Sequence, residues 1–302
     1  MNSDITFKRV TVSDKAIINS INAELPTYAD WAFGTLLTWW DFYDDLEYAL
    51  HNDNLLIRSS YLALGARPHI TLLGMNNVDK TIRDIAHFQI ERGEPAYIAS
   101  SPHYVIESIA DPTQLAIEED LDNAEYVLST KDHSELQKKE LKKIRHKVQA
   151  FQNAYSHLDI HTEIQPIITD DHKVRLINSL HTWDNSFKND RDKMESAVIN
   201  KSLIHSDVLN LRSMTIYVGG VIAGFALFKY IDDVTINVNH MKVNYAYKDI
   251  FHYSMYRLAI HMASEGVKYL NIEQDLGIEG IRTYKQRLHP TEMKRKYSII
   301  IK

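Results

Sequence analysis

Apolar residues recur with two periods along the chain, and the order of those periods predicts the fold. ITFKRVTV (5–12) alternates as a strand does, and DKAIINSINAEL (14–25) then places Ile17, Ile18, Ile21 and Leu25 at helical spacing. An aromatic block follows, DWAFGTLLTWWDFYD (30–44), in which Phe33, Leu36, Leu37 and Trp40 share one predicted helix face. Apolar runs at 46–50, 54–62 and 69–74, the first two separated by the turn-forming His51-Asn52-Asp53-Asn54, predict antiparallel strands. A helix over 78–91, strands over 95–108 and a polar, acidic linker from Asp111 to Asn123 complete the first half.

The second half opens on a strand over 124–130 and a helix over 134–155. Ser134 and Gln137 fit a capping box, and Leu141, Ile144, Val148, Phe151 and Tyr155 form one apolar stripe. A strand over 159–168 and helices over 170–186 and 188–206 lead to the clearest hairpin in the chain. There MTIYV (214–218) and VIAGFALFKYI (221–231) flank Gly219-Gly220, which supplies the positive φ of a two-residue turn. A strand over 232–243, a helix over 246–265, a strand over 268–275, a short helix over 277–288 and a last strand over 294–302 follow. Each half runs antiparallel meander, helix, strand, without any sequence repeat. The pattern predicts an α+β fold of two domains, 1–123 and 124–302, each a mainly antiparallel mixed sheet with flanking helices.

Composition narrows the chemistry. With 302 residues, the chain can bury two cores without covalent staples. It has no Cys, which removes disulfides, thiolate nucleophiles and Cys-type metal sites. Only 10 Gly make phosphate-cradling loops scarce, and GxSxG, G-x-G-x-x-G, Walker A and HExxH runs are absent. The 15 His are scattered; His157 and His161 share a predicted strand face with Glu163, too little for a metal site. Lys plus Arg number 34 against 40 Asp plus Glu, so net charge is −6. That disfavours a protein whose whole surface binds nucleic acid and makes local basic runs conspicuous. The N-terminus has no signal-type apolar run, and the longest uncharged apolar stretch, Met214–Phe228, falls short of the ~20 residues of a spanning helix. A cytoplasmic protein is expected.

Polar chemistry concentrates in KYLNIEQDLGIEGIRTYKQRL (268–288). Strand alternation puts Asn271, Glu273 and Asp275 on one face, and Gly277 then leads into a helix carrying Arg282 and Lys285 three residues apart. Acids and bases so placed either neutralise one another within the fold or form a reacting site. The helix 134–155 carries Lys138, Lys139, Lys142, Lys143, Arg145 and Lys147 against two Glu, either a solvated face or a stripe that holds phosphates. The C-terminal run adds Arg287, His289, Lys294, Arg295 and Lys296. Trp31, Phe33, Trp39, Trp40, Phe42 and Tyr43 read as the core of a helix–sheet contact, with a ligand wall as the alternative.

These stretches together resemble the lysylphosphatidylglycerol synthase C-terminal domain family. In the closing motif, Asn271, Glu273, Gln274, Asp275, Gly277, Glu279, Gly280, Arg282, Lys285 and Pro290 match in order. KKELKKIRHKVQAF (138–151) resembles the family's basic helix, and FGTLLTW (33–39) its N-terminal signature. The resemblance implies two tandem acetyltransferase-like (GNAT) domains and transfer of an aminoacyl group from aminoacyl-tRNA to a lipid or other small hydroxyl or amine. On that reading Glu273 or Asp275 binds the aminoacyl ammonium or accepts a proton. Arg282 and Lys285 face phosphate or the oxyanion, and Tyr284 relays a proton. Asn271, Lys138, Lys142 and Arg145 bind substrate, the basic helix taking the tRNA acceptor arm. No cofactor and no metal are expected.

Two alternatives stay open: an acyl-CoA-dependent N-acyltransferase, and a non-catalytic binding module. Acyl-CoA enzymes of this fold hold pyrophosphate on a Gly-containing loop at a helix N-terminus. The corresponding junction here, KVNYAYKDIF (242–251), has no Gly and carries bulky Tyr245 and Tyr247, which argues against acyl-CoA.

Overall fold

The computed structural model describes residues 5–41, 45–60, 68–184 and 190–302. The chain forms two compact units: Met1–Glu125 with Gln274–Glu279 and Met293–Lys302, and Tyr126–Glu273 with Gly280–Glu292. No helix among the described residues is long and apolar enough to cross a membrane.

In the first unit, helices α1 (Lys15–Asn22) and α2 (Phe33–Thr35) precede most of the sheet, and α2 widens into a π-type turn over Leu36–Trp40. The sheet holds β1 (Lys8–Arg9), β2 (Glu47–His51), β3 (Asn54–Ser59), β4 (His69–Leu73) and β5 (Tyr97–Pro102). The C-terminal strand Lys296–Ile301 and β6 (Leu115–Glu119) complete it, in that spatial order. The β2–β3 turn has positive φ at Asn52 and Asp53, as a tight hairpin requires. Strands β2, β3 and β4 run antiparallel; α3 (Val78–Ile90) then returns the chain to β5, parallel to β4. The aromatic block is core: Trp31, Phe33 and Trp40 are buried, and the two Trp rings lie 4.8 Å apart. Phe42 and Tyr43 lie outside the described residues.

Three expectations change here. The chain from 95 to 108 is a strand only to Pro102 and then a short helix, α4 (His103–Glu107). The acidic linker contains β6, because a partner reaches it from far along the chain. That partner is the C-terminal strand, which pairs antiparallel with both β5 and β6. Residues 293–302 therefore belong to the first unit and not to a domain spanning 124–302, although the first crossing, between Glu125 and Tyr126, lies close to 124.

The second sheet, most of it in the second unit, contains β7 (Glu125–Ser129), β8 (Ile160–Gln165), β9 (Arg212–Val218), β10 (Val221–Tyr230), β11 (Thr235–Val243), β12 (Tyr269–Asn271) and β13 (Glu292–Lys294). Their spatial order is β13-β7-β12-β11-β10-β9-β8. Its helices are α5 (Thr130–Glu135), α6 (Lys142–Ala154), α7 (Asp170–Asp184), α8 (Asp190–Ile204), α9 (Ser206–Leu209), α10 (Ile250–Ser264) and α11 (Glu279–Gln286). Strands β8 to β11 are antiparallel; α10 then leads to β12, parallel to β11. Met214, Ile216, Ala226, Phe228, Ile236 and Val238 on one sheet face meet the stripe Ile144, Val148 and Phe151 of α6 and Met255, Leu258 and Met262 of α10. Each unit thus builds the same succession of antiparallel meander, helix and parallel return strand.

The long helix predicted over 134–155 is two helices. Leu136 takes a left-handed φ of 52°, which ends α5, and its side chain is buried with Leu141. Ser134 lies inside α5 and donates to the Lys131 carbonyl, so no capping box forms there. Ser129 caps α5 instead, its Oγ accepting the Asp132 N–H at 3.2 Å.

The basic C-terminal run also changes meaning. Lys296 is 0 % exposed. Its Nζ pairs with the Asp30 carboxylate and lies 3.0 Å from Glu125 Oε1, both also fully buried. Glu125 further accepts the backbone N–H groups of Ala29 (2.8 Å) and Asp30 (3.1 Å), tying the segment before α2 to the residue that closes the first stretch of this unit. The rings of Trp31 and Tyr28 lie 5.5 and 6.0 Å from Nζ. Two carboxylates share one ammonium without water, so the group carries one surplus negative charge when all are ionised. Burial, reinforced by Glu125 and opposed by Lys296, raises Asp30 to about 6. Lys296 is held well above the usual ammonium range: its own burial lowers it, but the two carboxylates outweigh that.

Lys296→Ala leaves both carboxylates buried and uncompensated, and should cost about 3–5 kcal/mol in urea unfolding. The pH dependence has a definite sign. A raised folded-state value means that Asp30 contributes stability below its ordinary 3.8, and that this is lost as pH rises through about 6. Asp30→Asn carries no such titration. Between pH 5 and 7.5, wild type should therefore lose unfolding free energy relative to Asp30→Asn.

Candidate active site where two parallel strands part

Strands β11 and β12 pair over Thr235–Asn237 and Tyr269–Asn271, and then β12 stops. The cause is local. Glu273 adopts a left-handed φ of 58°, and Leu276 one of 57°, conformations that a side-chain-bearing residue enters only when held there. Strand alternation therefore ends at Asn271, and the expectation that Asn271, Glu273 and Asp275 share one strand face is corrected. Asp275 belongs to the first unit, where it is buried and its Oδ1 accepts the Gly277 N–H at 2.9 Å. Gly277 is needed at that turn: its φ is 70°, and a Cβ would sit 2.7 Å from Asp122 Oδ2.

Three side chains hold Glu273. Fully buried Asn271 accepts its N–H at 2.9 Å, and Asn237 donates to its Oε1 at 2.9 Å. Lys285, from α11, donates to the Ile272 carbonyl (2.5 Å) and the Glu273 carbonyl (3.1 Å) and lies 5.8 Å from the Tyr126 ring centre. Lys285 is thus a clamp on the exit of β12. Arg282, one turn earlier on α11, is half-buried.

Beyond the parting, β11 carries a bulge. Leu227 lies opposite His240 and Phe228 opposite Val238, which makes Asn239 the extra residue. Bulges concentrate beside active sites because they re-aim side chains. Asn239 is buried, and its Oδ1 has no hydrogen-bond partner among the described residues. His240 lies 3.1 Å from Ser202 Oγ; burial, with Lys242 and Lys229 nearby, pushes it down to about 3, so the ring is neutral. Lys242 pairs with Glu195.

Tyr284, also on α11, sets its ring edge-on to Phe251 (5.0 Å) and His252 (5.8 Å) of α10. Its hydroxyl is shielded from solvent and has no hydrogen-bond partner among the described residues. Burial raises its pKa, so it stays an O–H donor. Burial and Lys147 lower His252 to about 4, against the opposing pull of Asp249, so that ring is neutral too.

The predicted substrate-binding cations divide. Lys138 pairs with Asp132 at 2.6 Å, and Arg145 donates to the Leu136 carbonyl at 2.5 Å, closing the α5–α6 junction. Lys142 is exposed, together with Lys139, Lys143, His146 and Lys147. The structure thus gathers Asn271, Glu273 and Lys285 at the strand exit and sets Tyr284 and Arg282 on the adjoining helix. Asn237, Asn239 and His240 were not singled out in the sequence, although polar residues at these positions interrupt an otherwise apolar strand.

At both strand–helix junctions that could cradle a pyrophosphate, part of the backbone is already engaged. In the second unit, Asn244 accepts the N–H groups of Ala246 and Tyr247 (both 3.0 Å), and Tyr155 Oη accepts that of Lys248 (3.0 Å). The amides of His252 and Tyr253 donate to the Asp249 carbonyl. In the first unit, the Asn54 amide fills the space over Gly74, where a Cβ would fall 2.0 Å from Oδ1, and it also binds both backbone groups of Asn76.

A meander, a helix and a parallel return strand, made twice in one chain, define a tandem acetyltransferase-like protein. Residues 27–300 match the family described as phosphatidylglycerol lysyltransferase, C-terminal, and the chain belongs to that family. A conserved protein of unknown function from Bacteroides thetaiotaomicron is similar in fold, with a TM-score of 0.85 and 22% identity, covering 99% of this chain and 100% of that one. L-PGS from Bacillus licheniformis is similar with a TM-score of 0.63 and 13% identity, covering 95% of this chain and 92% of that one. At these identities the likeness concerns the fold alone. No curated protein matches the chain.

Lys285→Ala removes two charge-assisted bonds at the end of β12. It should destabilise the protein by about 1.5–3 kcal/mol in chemical denaturation, whatever it does to activity. An unchanged unfolding midpoint would show that Lys285 is not a clamp.

Proposed function

We propose that the protein transfers an aminoacyl group from aminoacyl-tRNA to a small hydroxyl or amine acceptor, lipids included, at the parting of β11 and β12. The observation that carries this reading is that Asn271, Glu273 and Lys285 of the family's closing motif meet at that parting. The exposed cations of α6 lie in the same unit and suit an RNA backbone. The donor is already an ester, so the reaction calls for no cofactor. The acceptor's oxygen or nitrogen attacks the ester carbonyl while Glu273 takes its proton. The Tyr284 hydroxyl donates to the developing oxyanion, and Arg282 faces phosphate. The ester C–O bond then breaks, and the 3′-terminal ribose oxygen leaves with the proton. Lys285 drops from the direct roles expected of it, because its ammonium is engaged by two carbonyls. Asp275, in the other unit, is better suited to shaping its own turn.

The acyl-CoA alternative is disfavoured because the second unit's junction lacks Gly and the amides of Ala246, Tyr247 and Lys248 there are bonded internally.

With radiolabelled aminoacyl-tRNA and candidate acceptors, Tyr284→Phe should lower transfer about 100-fold or more. It should leave thermal stability unchanged, since the lost hydroxyl has no partner among the described residues. Full activity in this variant contradicts the assignment. Acyl-CoA should give no thermal stabilisation of the wild-type protein, and a clear upward shift would favour the acyl-CoA reading.

A further inference from the structure

The loop between β11 and α10 projects an aromatic ring into solvent from an unusually well-fastened backbone. Asn244 N–H donates to the Ala223 carbonyl at 2.8 Å, and Asn244 in turn accepts from Ala246 and Tyr247. Tyr247 turns inward, its ring edge-on to Tyr155 at 5.3 Å, and the Tyr155 hydroxyl accepts the Lys248 N–H. Tyr245, two residues before Tyr247, is left 70% exposed. The helix this loop enters, α10, sets Phe251 and His252 against Tyr284, the phenol assigned above to the reacting carbonyl. An amphipathic ring held on a fastened loop is a low-entropy contact surface, because the loop's ordering cost is already met by its own hydrogen bonds.

Cations lie on this loop and on the helix that reaches it. Lys248 is exposed on the same loop. Lys147, half exposed on α6, lies 3.8 Å from Asp249, which brings the basic helix against the loop. Lys143 and His146 continue the exposed stripe along α6. Exposed aromatics interleaved with cations recognise unpaired nucleotides: the base stacks on the ring and the phosphates run along the positive groups.

We infer that Tyr245 is a stacking platform for an unpaired ribonucleotide at the 3′ end of the RNA donor, with Lys147 and Lys248 holding its phosphates. This rests on the aminoacyl-tRNA reading and extends it by saying where the end of the donor is gripped. A base seated on Tyr245 sets the adjoining ribose ester beside Tyr284.

Fluorescence anisotropy with a labelled four-nucleotide RNA ending in CCA, at about 50 mM salt, tests the inference without any chemistry. Tyr245→Ala should weaken binding about 5- to 100-fold, the range measured for loss of one base–aromatic stack, whereas Tyr245→Trp should retain it. Lys147→Ala with Lys248→Ala should flatten the slope of log affinity against log salt by about 0.7 for each lysine. Equal binding by wild type and Tyr245→Ala, or no binding by wild type, overturns the platform. So does Tyr245-dependent binding to phosphatidylglycerol vesicles in place of RNA. The failures are separable. Stacking without aminoacyl transfer would sink the catalytic reading and leave the platform, and transfer insensitive to Tyr245→Ala would do the reverse.

Discussion

A parallel strand pair that stops after three residues is the constraint on which the proposed site in the second unit depends. A left-handed φ at Glu273 costs backbone energy, and the fold holds it with Asn271 on its amide, Asn237 on its carboxylate and Lys285 on its carbonyl. The left-handed turn at Glu273 follows closely on the last paired residue, Asn271, and the bulge at Asn239 lies beyond that pairing. Within the closing motif, Asn271 and Lys285 fasten the turn, and the proposed function gives the chemical roles to Glu273 and Tyr284.

The first unit is held by a different device. A lysine on a strand otherwise made of Tyr, Ser and three Ile is drawn wholly into the interior by two carboxylates from distant parts of the chain. Such a cluster rarely adds net stability over an apolar core of equal volume, but it is unforgiving of partial loss. Here it fixes register: Glu125 takes the amides of Ala29 and Asp30 while Lys296 enters from the C-terminal strand. The last ten residues thereby become part of the first unit.

How much of this was legible depends on range. Local periodicity fixed the doubled order of elements, the Gly219-Gly220 hairpin and the apolar stripe Ile144, Val148, Phe151. The resemblance of 271–290 to one family's closing motif agrees with the family match over 27–300. What could not be read was set by partners far away in sequence. Strand β6 forms because the C-terminal strand reaches it, and Lys296 is buried because Asp30 and Glu125 wait for it. Left-handed residues were the other blind spot. Leu136 splits a helix that looked continuous, and Glu273 ends a strand whose alternation ran on in the sequence. Neither is Gly or Asn, so neither announces a turn. In the candidate site, Asn271, Glu273, Tyr284, Arg282 and Lys285 were named from sequence, whereas Asn237 and Asn239 are recognisable only once β11 is seen to part from its neighbour.

The central claim, that the parting in the second unit receives an acyl group carried on RNA, is tested most directly by crosslinking. A tRNA bearing a photoreactive nucleotide at its unpaired 3′ end would be irradiated with the protein and the adducts located by mass spectrometry. The account predicts adducts on the β11–α10 loop and the start of α10, residues 244–252, competed away by unlabelled tRNA. Adducts confined to the first unit, or none above a protein-free background, would contradict it.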